Sequence, residues 1–110
     1  MAEDRTDLLQ GTLNLLILKT LGLEPTHGFG IARRIRQVSR EVLQVQEGSL
    51  YPALHRLEAQ GWIRAEWGLS ENSRRARFYE LTRTGRRQLE VETRAWERLA
   101  AAIQEVLQTA

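Results

Sequence analysis

The chain has 110 residues and a formal net charge of +2, enough for one domain whose modest core would gain from a partner subunit. It has no cysteine and two histidines, His27 and His55, which excludes disulfides, thiolate or histidine-caged metal sites and Cys nucleophiles; no cofactor is expected, and a reducing cytoplasm suits it. The acidic start, MAEDRTD, is unlike a secretory leader, and the most apolar run, Leu13 to Leu21, is broken by Asn14 and Lys19 and is too short to span a bilayer.

Residues 8–22 predict a first helix with the stripe Leu9, Leu13, Leu16, Ile17 and Leu21, stopped by Gly22 with Pro25 behind it. Leu8, Leu15 and Leu18 make it apolar almost all round, more than one small domain is expected to bury, so a subunit contact is expected there. His27-Gly28-Phe29-Gly30 opens a second helix to about Arg40, with Ile31, Ile35 and Val38 as its core stripe. Residues 26–40 carry Arg33, Arg34, Arg36 and Arg40 and no acid. A connector, Glu41 to Glu47, leads to a third helix in helix-turn-helix order.

The third helix is the stretch GSLYPALHRLEAQG, Gly48 to Gly61. Leu50, Leu54 and Leu57 form a single apolar stripe, while Tyr51, Pro52, His55, Arg56 and Ala59 lie on the other side with Ser49 at the rim. That outer face is a poor solubilising surface. It suits a helix laid in a groove, where small residues permit close approach and Tyr, Ser, His and Arg direct hydrogen bonds. An amphipathic core helix is the plainer alternative. Pro52 fits if the helix begins near Ser49, which places the proline in the first turn and makes Ser49 the N-cap.

Beyond Gly61 the period changes. Ile63, Ala65 and Trp67 alternate with Trp62, Arg64 and Glu66 as a strand; Gly68 to Ala76 is a polar loop, and Arg77, Tyr79 and Leu81 alternate with Phe78 and Glu80 as a second strand. Such a hairpin is marginal alone and must lean on the helices. Residues 74–87 carry Arg74, Arg75, Arg77, Arg83, Arg86 and Arg87 against Glu80 alone, a second basic patch, and two such patches suggest a local polyanion footprint. Thr82 can cap a final helix to about Gln108. Its apolar residues repeat by sevens, Leu89, Trp96 and Ile103 in one series and Leu99 and Val106 in the other, with Glu92 interrupting. This is a short coiled-coil seam, and dimerisation through it is favoured over packing on its own domain.

Three helices, a two-stranded wing and a long helix are the order of a winged helix-turn-helix protein, mainly α with a small β wing. The motifs GTLNLLILKTL, HGFGIARRI, GSLYPALHRLEAQGWI, EWG and RRARFYELTRTGRRQL, in this order over about residues 10–90, resemble the PadR family of transcriptional regulators, short type with a single C-terminal helix. Two positions depart from the family pattern: Gln46 stands where a better capping residue is usual, and Gly30 where a bulkier polar residue is common.

The resemblance implies a homodimeric DNA-binding repressor, with residues 1–82 as the winged helix-turn-helix domain and 83–110 as the dimerisation helix. It puts the third helix in the major groove, with Ser49, Tyr51, Pro52, Ala53, His55 and Arg56 nearest the DNA. Arg56 is placed for a bidentate contact to guanine or a phosphate contact, and His55 for a contact or for idle exposure. Arg74, Arg75 and Arg77 of the wing would reach a phosphate or the minor groove, with an Arg77–Glu66 ion pair as the alternative. Of Arg33, Arg34 and Arg36, at most one or two, Arg34 among them, would touch phosphate, and the rest would be solvated. Leu13, Ile17, Leu89, Trp96, Leu99, Ile103 and Val106 would form the dimer interface. A flat hydrophobic or aromatic effector held between subunits would stack on Trp96, Leu13 and Ile17. The partners implied are a pseudo-palindromic duplex and a second copy, with no membrane. A hydrolase or transferase reading fails for want of a nucleophile–base pair. The stronger rival is a winged-helix protein-interaction module that binds no DNA.

Overall fold

The computed structural model describes residues 10–109, in which four helices and three strands follow one another. α1 (Gln10–Leu23) is the centre of the fold, touching the second, third and last helices and the last strand. Its Leu13, Ile17, Leu18 and Leu21 are inaccessible, and the buried Thr20 hydroxyl donates to the Leu16 carbonyl at 2.8 Å. A hydroxyl satisfied on its own helix can sit in an apolar core. The domain thus buries one face of this helix, while Leu15 and Leu16 stay partly accessible and Leu23 is exposed, so the helix is not buried all round by its own chain. Leu8 and Leu9 lie outside the described residues.

β1 (Thr26–His27) is too short for any alternation to reveal it, and it leads directly into α2 (Gly28–Val38). His27 caps that helix, its Nδ1 accepting the Gly30 N–H at 3.0 Å. A side chain at residue 30 would run into the Thr26 hydroxyl, which explains why this chain has glycine where a bulkier residue is common. α2 stops at Val38, short of Arg40. The Arg40 N–H donates to the Gln37 carbonyl at 3.1 Å and the Glu41 N–H to that of Arg36 at 2.8 Å, with Arg40 at φ 55°. This is the paired closure of a Schellman turn. Ile31 and Ile35 are buried as expected, but Val38, at the last helical position, is 68% exposed and leaves the core stripe.

α3 (Glu47–Ala59) begins before Ser49. Gln46 is its N-cap and offers no side-chain bond, so Ser49 is not the cap and Pro52 lies inside the helix. Proline has no N–H for the Gly48 carbonyl, so the helix gives up one bond there. Gly61, at φ 81°, ends α3 with a second Schellman closure: its N–H reaches the Glu58 carbonyl at 3.0 Å and that of Trp62 reaches Leu57 at 3.1 Å.

β2 (Ile63–Leu69) and β3 (Arg75–Leu81) pair antiparallel from Ile63↔Leu81 to Leu69↔Arg75. The strands run further than expected, leaving only residues 70–74 as the tip. β1 pairs with the other edge of β3, giving the order β1-β3-β2, so the wing is the free end of a three-stranded sheet and not an isolated hairpin. Ile63, Tyr79 and Leu81 anchor its base in the core.

α4 (Arg83–Gln108) starts as expected: the Thr82 hydroxyl accepts the Gly85 N–H at 3.0 Å and lies 2.7 Å from the Gly61 carbonyl. Leu89 packs against the core, where a Cβ at Gly22 would stand 3.3 Å from it. Beyond Leu89 the helix leaves the domain, and the molecule reaches 56 Å along its longest axis. Trp96, Leu99, Ile103 and Val106 are exposed along this extension. Leu13 and Ile17, expected at a subunit interface, instead lie wholly within the intrachain core, whereas Leu89 packs against that core and stays partly accessible. Among the described residues no helix is long and apolar enough to cross a membrane.

Candidate nucleic-acid interface

The stripe Leu50, Ala53, Leu54, Leu57 seats α3 in the core, and this fixes which residues face outward. Ser49, Tyr51, Pro52 and His55 are exposed. Ala53, expected nearest the DNA, is 0% exposed and can touch nothing outside the chain. Arg56 is half-buried, with its Nε enclosed and unpaired. Gly48 also lies on the surface with open space where a Cβ would be, so a partner could approach the backbone closely there.

The wing stands beside this face. Between the two runs an open groove of about 590 Å³, with Tyr51 and His55 on the α3 side and Trp67, Arg74, Arg75 and Arg77 on the wing side. The ring of Tyr51 packs on the start of α2, its hydroxyl 2.8 Å from where a Cβ of Gly28 would lie. Arg75 lies over the Trp67 ring at 4.7 Å, an arrangement that fixes a guanidinium without neutralising it. Arg74 is fully at the tip. Arg77 does not pair with Glu66: Glu66 stands opposite Phe78 in the register, whereas Arg77 Nη2 reaches the Glu58 carboxylate of α3 at 3.1 Å. That bond ties wing to helix, and Arg77 Nε is buried without a partner. Tyr79, under Arg77, has its phenol pushed up by burial.

Ser49, Pro52 and Arg56 share α3 but do not line the groove, and Arg34 lies apart, in a second hollow of about 390 Å³ with Arg33 and Gln37. The groove also holds residues the sequence reading passed over. Phe29 and Trp67 are exposed aromatics on its walls, and Glu71 is its single carboxylate. Glu71 accepts from His27 Nε2 at 3.5 Å and from Arg33 Nη2 at 3.4 Å. Its carboxyl is held below the ordinary carboxylate range, first by its own backbone N–H and then by the His27 ring, with burial opposing and Arg33 adding attraction. Among the described residues no cluster of His, Cys, Asp or Glu could hold a metal.

Comparisons with known proteins bear on the family and the fold. The transcriptional regulator Rv3488 of Mycobacterium tuberculosis is 34% identical over 94 residues, which cover 86% of this chain and 84% of that protein. A transcriptional regulator from Clostridium thermocellum has the same fold with a TM-score of 0.81 at 28% identity, covering 91% of this chain and 97% of that one. A PadR-like transcriptional regulator from Bacillus cereus superposes with a TM-score of 0.79 at 25% identity, covering 96% of this chain and 100% of that one. The fold is thus the winged helix with a long C-terminal helix that these regulators share. Residues 17–91 match the family model described as the transcriptional regulator PadR-like family, and the chain belongs to that family, whose members are transcriptional regulators and not enzymes.

Proposed function

We propose that this regulator is a homodimeric, DNA-binding repressor of the cytoplasm. Residues 1–82 bind the duplex and 83–110 hold the dimer together. The observation that carries the reading is the groove itself, where Tyr51 and His55 of α3 face Arg74 and Arg75 across a cleft open to solvent. An exposed helix face beside a cationic wing is the shape that suits a duplex, with the helix in the major groove and the wing on the flanking backbone. Ser49, Pro52 and Arg56 share the helix's outer surface, Arg56 meeting guanine or a phosphate, while Arg77 holds the wing to α3 through Glu58. Arg34 adds at most a peripheral phosphate contact.

The exposed apolar residues of α4 support the second half of the proposal. Trp96, Leu99, Ile103 and Val106 would close on a second copy, giving two α3 helices related by a dyad and a pseudo-palindromic site with half-sites about 34–36 Å apart. An aromatic or hydrophobic effector would stack on Trp96 in that seam and release the duplex.

Selection of binding sequences from a random duplex pool tests the reading directly. Convergence on a two-fold symmetric motif is expected. An asymmetric motif would sink the dyad, and a pool with no enrichment, together with no shift of generic duplex at low salt, would leave a protein-interaction module in its place.

A further inference from the structure

Glu71 is out of place on a surface that otherwise presents cations and aromatics. It projects from the wing tip, yet it turns back onto the beginning of α2, where it meets two donors. The first is His27. Because Nδ1 of that ring accepts the Gly30 N–H, the ring proton sits on Nε2, which faces Glu71. The second is Arg33, whose guanidinium is steered from beneath by Phe29, its centre 5.4 Å from that ring. Arg33 itself lines the neighbouring hollow, but Phe29 and Glu71 both line the groove, so its guanidinium reaches across to the groove wall with its charge turned toward the carboxylate.

We propose that Glu71 is a mask: it occupies Arg33, repels phosphate at the mouth of the groove, and sets duplex affinity below what the cations of this face would otherwise give. This rests on the DNA-binding reading above. The contact is suited to the task because it is weak. Glu71 and Arg33 are both substantially exposed, at 3.4 Å and with side chains 59% and 42% accessible, so water and salt screen the pair. A phosphate can displace the carboxylate, but only by first moving a like charge away. The mask therefore tunes affinity without abolishing it. It also leaves the wing tethered, since the His27 bond needs only an acceptor.

That last point selects the variant. Glu71→Gln keeps a carbonyl oxygen for His27 Nε2 while removing the charge, whereas Glu71→Ala removes both. Duplex binding of the full chain is measured with a mixed-sequence duplex over a range of salt. Glu71→Gln should bind several-fold more tightly at low salt, with a salt dependence steeper by about one phosphate contact as Arg33 is released. Arg33→Gln alone should weaken binding little, because the cation it removes is already occupied. In the Arg33→Gln background most of the gain from Glu71→Gln should vanish.

Each contrary outcome is informative. If Glu71→Gln binds as the parent does and only Glu71→Ala loses affinity, Glu71 positions the wing and the mask is wrong. If the gain persists in full without Arg33, the effect is general repulsion, and the pairing with Arg33 has no part in it. A parent chain that shifts no duplex even at low salt overturns the DNA-binding reading and the mask together, so the two failures are distinguishable.

Discussion

The winged-helix body and the far part of α4 treat their apolar residues in opposite ways. From Leu13 to Leu89 the large aliphatic side chains of the helix stripes and the sheet base converge on α1, and thirteen hydrophobic residues form one buried cluster. In α4 past Leu89 the apolar residues also repeat, with Glu92 interrupting, but among the described residues they stay outside the buried cluster: Trp96, Leu99 and Ile103 are 46%, 52% and 47% exposed. Regular spacing alone therefore does not say where a stripe is buried. The body can stabilise itself, whereas the extension leaves a contiguous apolar face that water disfavours and a partner helix would cover.

The sharpest way to break this contrast is to charge the extension. Replacing Leu99 and Ile103 by Glu should leave the melting transition of the body in place, because neither side chain contributes to the buried cluster. Self-association and duplex binding should be lost together. Sedimentation of the double variant checks it, and a species that still runs as a dimer would place the interface elsewhere.

Inside the body the corresponding change is Leu54→Ala. Leu54 is wholly inaccessible, so truncation should cost about 2–5 kcal/mol of stability. Arg56→Ala, two residues on, should behave differently. Its buried Nε has no partner to lose, so the melting temperature should barely move. Discrimination within each half-site should instead fall, by about 1–3 kcal/mol if the lost contact was a bidentate one to guanine. Measuring melting beside sequence preference separates the two faces of one helix. Equal losses in both variants would show that Arg56 is structural.

The wing divides in the same manner. Arg74 and Arg75 make no ion pair among the described residues, whereas Arg77 is committed to Glu58. Neutralising Arg74 and Arg75 to Gln should weaken binding across all sequences and reduce the salt slope by about one unit per lost phosphate contact. Arg77→Gln should loosen the wing with little change of slope. A sequence-dependent loss on removing Arg74 and Arg75 would mean that the wing reads bases.

Most of the architecture could be read from periodicity because burial in a small fold is locally patterned. Leu13, Ile17 and Leu21 of the α1 stripe, Ile63, Tyr79 and Leu81 of the strands and the Thr82 cap stand where spacing put them, whereas Trp67 of the inward series is exposed. Ala53 was misplaced for a physical reason. With Leu50, Leu54 and Leu57 it completes an i, i+3, i+4, i+7 series, but a methyl group adds so little hydrophobicity that it reads as surface. β1 has two residues and so no period to show. Hairpin pairing points to Glu66 as the Arg77 partner, whereas Glu58 arrives from α3 through the tertiary fold, which no local pattern shows. The site divides along the same line. Arginine clusters advertise a polyanion surface, but Trp67, Phe29 and Glu71 carry no such signal, and only the folded chain brings them to the groove.

The smallest expected effect concerns how the body closes its second helix. Arg40, at φ 55°, fills the C′ position of α2, where a left-handed backbone is needed and glycine is the usual occupant. A side chain there carries a steric cost of roughly 1–2 kcal/mol, and glycine would remove it while adding roughly 0.5–1 kcal/mol of backbone entropy in the unfolded chain. Arg40→Gly should therefore stabilise by at most about 1.5 kcal/mol, a rise of up to several degrees in melting temperature for a domain of this size. Little opposes the gain, since Arg40 makes no ion pair among the described residues and Glu41 already pairs with Arg36 at 3.5 Å. Arg40 also lies beyond the opposite end of α2 from Gly28 and Phe29, which line the groove, so the salt dependence of duplex binding should not change. A variant that melts lower than the parent would show that the Arg40 side chain stabilises the turn, and one with a shallower salt slope would extend the duplex footprint along the whole of α2.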